Sequence, residues 1–171
     1  MIRCLFSLLM LFACTTQGCI SDKEPEGPSL TVGDSLPDFS VEMNTGELVS
    51  TSSLRGFVSV IVFFNTGCPD CQKEFPVIQQ LWDYYEENED IRIVAISREE
   101  SAQDIQAYWD SHNLTFPYSA QETREVYSLF APSVIPRIYI SNQECVIQAQ
   151  YDDTDLPSFE ILKNTIEKLI P

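Results

Sequence analysis

An apolar run at residues 57–64, broken only by Ser59, ends in a three-residue turn, Asn65-Thr66-Gly67. The turn delivers Cys68 and Cys71 with Pro69 and Asp70 between them, and a helical pattern follows. A near-continuous apolar run of that length fits a strand buried on both faces of a sheet. A cysteine at the junction sits where the N-terminus of a helix favours a thiolate. A second cysteine three positions on lies one turn further along the same helix. It is placed to attack a mixed disulfide formed on the first. The arrangement reads as a dithiol–disulfide redox centre.

Two other readings of the pair are weaker. Structural zinc needs four Cys or His ligands. The chain has one histidine, His112, and its other cysteines are Cys4, Cys14, Cys19 and Cys145, so no second C-x-x-C exists. A purely structural disulfide across two residues closes too short a loop to restrain the unfolded chain much.

The 171 residues suit one domain preceded by a short leader. Met1-Ile2-Arg3 is followed by an apolar stretch at 5–13, too short for a membrane-spanning helix and sized like a secretory signal core. A small residue precedes a cysteine twice, at Ala13-Cys14 and Gly18-Cys19. Both resemble the lipobox of bacterial lipoproteins. Cys19 is preferred as the lipidated residue, with Cys14 as the alternative, and ordinary signal cleavage without lipid is the remaining option. The expected organisation is therefore a signal and lipobox at 1–19, a flexible polar tether at 20–31 and a globular domain at 32–171. Either kind of leader implies export to the periplasmic side of a bacterial membrane, where disulfides persist. A lipid would hold the chain at the inner or outer membrane, and without one the chain would be free in the periplasm. The formal charge of −16 disfavours nucleic acid as a partner.

Beyond the leader, Phe39, Val41 and Met43 alternate with polar residues, Gly46 marks a turn, and residues 47–49 return, predicting a hairpin. A short helical turn is expected at 52–55, a buried strand at 58–64 and a helix over 69–87 that places Phe75, Ile78, Leu81, Trp82 and Tyr85 on one face. A strand at 91–96, a helix at 102–111, an extended piece at 114–118 and a helix at 123–130 follow. A second hairpin at 137–141 and 145–150 and a helix over 157–170 close the chain. This order predicts an α/β fold with a mixed central sheet flanked by helices, an N-terminal hairpin and a central α insertion.

The chain resembles the TlpA/ResA group of extracytoplasmic thioredoxin-like proteins, within the thioredoxin and AhpC/TSA superfamily. The resemblance covers residues 32–170. It rests on Gly33-Asp34-Ser35-Leu36-Pro37-Asp38-Phe39, on Ser53-Leu54-Arg55-Gly56, on Cys68-Pro69-Asp70-Cys71 followed by Glu74 and Pro76, and on Val134-Ile135-Pro136. It implies a thioredoxin-like fold and a thiol:disulfide oxidoreductase. Cys68 would be the nucleophile, Cys71 the resolving thiol, Glu74 a proton-transfer or pKa-tuning acid, and Pro136 a cis-proline in the substrate loop. Ile135, Pro69 and Asp70 would line the substrate site. No cofactor is implied beyond the Cys68–Cys71 redox disulfide. The partners would be exported proteins with cysteines or disulfides and a thiol-reducing donor in the membrane, with the chain acting as a monomer.

Three departures from the group's pattern stand out. Gly67 replaces the tryptophan usual before the first cysteine, proline comes first rather than second between the cysteines, and Val62 occupies the position of the buried acid of cytoplasmic thioredoxins. Asp70 and Glu74 would push the pair toward the reducing end of the disulfide scale. Arg137 reads as an ion-pair partner of the acidic surface, Cys145 as a small apolar residue and His112 as a helix-end surface residue. The rival functions are an AhpC/TSA-type thiol peroxidase and a non-catalytic binding lipoprotein on the same fold. The peroxidase motif P-x-x-x-[TS]-x-x-C is not met, since Ile61 and Asn65 stand where its proline and hydroxyl residue belong.

Overall fold

The computed structural model describes residues 27–170. The lipobox candidates Cys14 and Cys19, the expected signal at 1–19 and most of the expected tether lie outside the described residues. Strand β3 (Val58–Phe64) is buried at all seven positions and forms the centre of a five-stranded sheet. The strands that follow are β4 (Ile91–Ser97), β5 (Tyr118–Ser119), β6 (Arg137–Ser141) and β7 (Ile147–Tyr151), in the spatial order β5-β4-β3-β6-β7. β4 runs parallel to β3 with Phe63 opposite Ile96, and β6 runs antiparallel with Phe63 opposite Arg137. The helices are α1 (Pro69–Tyr85), α2 (Ala102–His112), α3 (Glu125–Ser128) and α4 (Phe159–Glu167). A separate hairpin, β1 (Ser40–Glu42) with β2 (Leu48–Ser50), completes the elements. This is the thioredoxin-like mixed sheet that the order of elements predicts.

Successive strand residues face opposite sides of a sheet, and the two phenylalanines that end β3 show it. Phe64 packs edge-on against Phe75 of α1, and its ring lies 5.2 Å from that of Trp109 of α2. Phe63 packs on the other side against Tyr127 of α3, Phe130 and Tyr139. Two aromatic clusters thus clamp the C-terminal end of β3, where the cysteine turn begins. Trp109 is buried, and its indole N–H donates to the Phe116 carbonyl at 2.9 Å, so its polar handle is satisfied inside the core.

The elements differ from the sequence expectation mostly at their ends. The expected helix at 123–130 is reduced to four residues, because Arg124 before it holds φ −92° and ψ 6° and offers no side-chain cap. Residues 52–55 form hydrogen-bonded turns, with the Ser53 and Leu54 N–H groups both donating to the Ser50 carbonyl. The second strand of the terminal hairpin starts at Ile147 rather than 145. Cys145 sits in the connecting turn at φ +63°, a conformation no strand accepts. Leu30, inside the stretch expected as tether, is already docked: its N–H donates to the Phe130 carbonyl at 2.9 Å.

Candidate active site

The site is built where β3 hands over to α1. Asn65 shapes the turn: its side-chain oxygen accepts from the Gly67 N–H at 2.9 Å, and its side-chain amide donates to the Arg98 carbonyl. Glu100 grips the next residue, accepting from the Thr66 N–H at 2.8 Å and from the Thr66 hydroxyl with its other oxygen. The Arg98 N–H donates to the Phe64 carbonyl at 2.7 Å. The loop after β4 therefore holds the cysteine turn by backbone and side chain together.

Cys68 is the N-cap of α1 with an extended backbone, and Pro69 starts the helix without a donor to leave unpaired. Cys68 is partly exposed and Cys71 fully buried, and both are free thiols. Burial pushes the Cys71 thiol far up, while the Asn65 backbone N–H and the Arg98 charge act against that rise. The exposed-first, buried-second order is the one expected from the helix spacing.

The loop preceding β6 closes the other side. The Ile135–Pro136 peptide is cis, and the Cys68 thiol donates to the Ile135 carbonyl at 3.5 Å. Val134 stands at φ +75°, a strained setting for a β-branched residue. Its carbonyl is fixed by the Tyr127 hydroxyl at 2.6 Å. Pro136 and Ile135 are thus brought to Cys68, while Pro132 stays in the preceding loop, where its carbonyl accepts from Arg124 at 2.8 Å.

Glu74 is 2% exposed, one turn beyond Cys71 on the buried face of α1. Its Oε1 has no hydrogen-bond partner among the described residues. Desolvation raises its pKa to about 7. Asp70 instead forms a 2.7 Å ion pair with Lys73 at the surface. The expected push of these two acids toward a reducing site is therefore weaker than their sequence positions imply. Asp70 has a cation beside it, and Glu74 is substantially protonated at neutral pH.

Arg137 departs from its expected surface role. It is buried at the start of β6 and makes no ion pair among the described residues. The Gln150 amide, oriented by its partners, accepts from the Arg137 guanidinium at 3.2 Å and donates to the Leu30 carbonyl. Cys145 is buried, and its thiol lies 3.5 Å from the Thr51 carbonyl, away from the redox pair. His112 is exposed at the end of α2 and stacks on Tyr108 at 3.9 Å. Among the described residues no group of three His, Cys, Asp or Glu side chains gathers as a metal site. A cavity of about 470 Å³ is lined by Trp82, Tyr85 and Arg92, at the end of α1 remote from Cys68.

Sequence reasoning missed Asn65, Glu100, Arg98 and Tyr127. A signal existed for Arg98. It follows an apolar strand running parallel to the cysteine strand, and in such sheets the carboxyl ends of parallel strands carry the sites. Tyr127 had none, because its ring reaches the site only through the fold of the 125–136 segment.

Comparison with known proteins agrees with this geometry. The model of the AhpC/TSA family matches residues 32–150. The chain is 29% identical over 136 residues to the thiol-disulfide oxidoreductase ResA of Oceanobacillus iheyensis, covering 77% of this chain and 70% of that one. It is 27% identical to ResA of Bacillus subtilis over 116 residues, 68% of this chain and 64% of the relative. The solution structure of a candidate protein disulfide isomerase from Bacteroides thetaiotaomicron superposes with a TM-score of 0.77 at 26% identity. That match covers 84% of this chain and 92% of the other. With a family model spanning most of its length and a partly exposed Cys68 facing a cis-proline loop, this chain belongs to the AhpC/TSA family.

Proposed function

We propose that the chain is a thiol-disulfide oxidoreductase that reduces or exchanges disulfides of exported proteins through Cys68 and Cys71. The observation that carries the reading is the approach of the Cys68 thiol to the Ile135 carbonyl beside Pro136. An extended client segment laid along that loop would bring its own sulfur to Cys68. Cys68 attacks the client disulfide, one client sulfur leaves, and Cys71 then displaces the other. Ile135, Pro69 and Asp70 line the approach, and Glu74 accepts the Cys71 proton. The names of the ResA relatives support the same activity.

Equilibrating the purified domain with glutathione buffers should titrate one two-electron couple, lost when either cysteine is replaced. The reduced domain should turn over hydrogen peroxide slowly. A peroxide reaction of Cys68 faster than about 10⁴ M⁻¹s⁻¹, the low end of efficient enzymes, would move the assignment to a thiol peroxidase.

The proposal extends to location: export to the periplasmic side of a bacterial membrane, with a lipid on Cys19, or alternatively Cys14. No helix among the described residues is long and apolar enough to cross a membrane, so attachment would depend on the leader. Metabolic labelling with an alkyne fatty acid should tag the mature protein, and Cys19→Ser should remove the tag. A tag that persists in Cys19→Ser and disappears in Cys14→Ser identifies the shorter leader, and absence of any tag rejects the anchor. A thiol-reducing donor in the membrane would then return the pair to its dithiol state.

A further inference from the structure

The chain carries 10 Lys and Arg against 26 Asp and Glu, yet two of its arginines converge on one tyrosine beside the redox pair. The guanidinium carbon of Arg98 lies 5.2 Å from the centre of the Tyr127 ring, and that of Arg124 lies 5.5 Å from it. Both are tied to the loops that flank Cys68. Arg98 accepts from Asn65 through its carbonyl, and Arg124 donates to the Pro132 carbonyl at 2.8 Å. Tyr127 itself donates to the carbonyl of Val134, one residue before the Ile135 carbonyl that faces the Cys68 sulfur.

These charges are poorly neutralised. Among the described residues no carboxylate comes within ion-pair distance of Arg98, whose Nε is buried without a partner. Arg124 keeps 34% of its side chain exposed, and among the described residues its one ion-pair partner is Glu99, at 3.8 Å. Glu100, two residues after Arg98, has both oxygens engaged by Thr66. A client carboxylate meeting the solvent side of these two guanidinium groups would gain charge-assisted hydrogen bonds that the protein itself does not supply. Elsewhere the acidic surface would repel such a group.

We propose that Arg98 and Arg124 form a carboxylate-binding subsite that selects client segments with an acidic residue one or two positions from the reacting cysteine. Consecutive Cα atoms are about 3.8 Å apart, so such a residue lies within roughly 8 Å of the reacting cysteine. With the Tyr127 ring only 1% exposed, it would meet the guanidinium groups rather than the ring. This rests on the disulfide-exchange reading above. The redox step is unchanged. Cys68 forms a bond to one client sulfur as the client disulfide breaks. Cys71 then displaces that sulfur, so two electrons and two protons pass to the client and a Cys68–Cys71 disulfide remains.

The test uses three synthetic peptides with the same internal disulfide, differing only in Glu, Gln or Lys next to the attacked cysteine. Oxidation of the reduced protein by each is followed by acid quench and mass spectrometry. The readout is the Glu-to-Lys rate ratio within one protein, so a general loss of reactivity cancels. The wild type should favour the Glu peptide about tenfold at low salt, as desolvated charge pairs at interfaces do. Roughly 0.5 M salt should shrink that ratio. Arg98→Gln with Arg124→Gln should bring it near one, while Arg98→Lys and Arg124→Lys should retain most of it. A wild-type ratio of one, or a ratio that survives the double glutamine change or high salt, overturns the subsite. If the glutamine variant does not fold, the wild-type salt series and the lysine variants still decide. Failure of every peptide to oxidise the wild-type protein would instead overturn the exchange reading itself.

Discussion

Cys68→Ala is expected to lower insulin disulfide reduction by about three orders of magnitude or more, since among the described residues no other exposed thiol can make the covalent intermediate. Cys71 cannot substitute. It is fully buried, and its thiol is held far from the ionised form by desolvation. Cys145 is buried in another part of the fold. Cys71→Ala should behave differently. Cys68 still attacks, but the nucleophile that releases the client is gone, so mixed disulfides accumulate. Non-reducing gels with mass spectrometry of the trapped adducts separate the two outcomes. Turnover of Cys71→Ala at the wild-type rate would remove Cys71 from the resolving role, and retained activity in Cys68→Ala would remove the whole scheme.

The difference in exposure between these thiols was legible in the sequence because it follows from local rules. A strand that ends in a turn and opens a helix exposes the first cysteine and buries the residue three positions on. The same period placed Phe75, Ile78, Leu81 and Tyr85 in the core with Cys71. The approach of Ile135 to Cys68 came from resemblance alone, since 67 residues separate the two contacting groups. Arg137 shows why local reading fails. In sequence it is a charge at the edge of an apolar segment. In the fold it is the first residue of β6, paired across the sheet with the buried Phe63. Glu100 and Arg98 were hidden for a related reason. Their role depends on β4 lying next to β3 in register, which brings residues more than 30 positions away onto the cysteine turn.

Glu74→Gln should make the protein more stable at pH 8 and slower at resolving mixed disulfides. In the unfolded chain a glutamate ionises near 4.5, whereas burial in α1 raises the folded value to about 7. Between those values the folded chain keeps a proton that the unfolded chain has released, so rising pH favours unfolding. Below the lower value both forms are protonated and no ionisation penalty exists. Above the higher value the full difference applies, about 3 kcal/mol, and glutamine does not incur it. Urea unfolding of the reduced proteins should therefore give a gap between variant and wild type that grows in favour of the variant as pH rises from about 4.5 through 7. A gap that is constant with pH would mean that Glu74 ionises as an ordinary glutamate. The kinetic arm runs the other way. The Cys71 thiol resists ionisation, and in the proposed scheme ionised Glu74, one helical turn away, accepts its proton. Release of a trapped client should accelerate as pH passes about 7 in the wild type. In Glu74→Gln that inflection should vanish, with release about a hundredfold slower at pH 8, within the usual range for loss of a general base. An unchanged inflection in the variant would leave Glu74 only as a buried acid with no part in proton transfer.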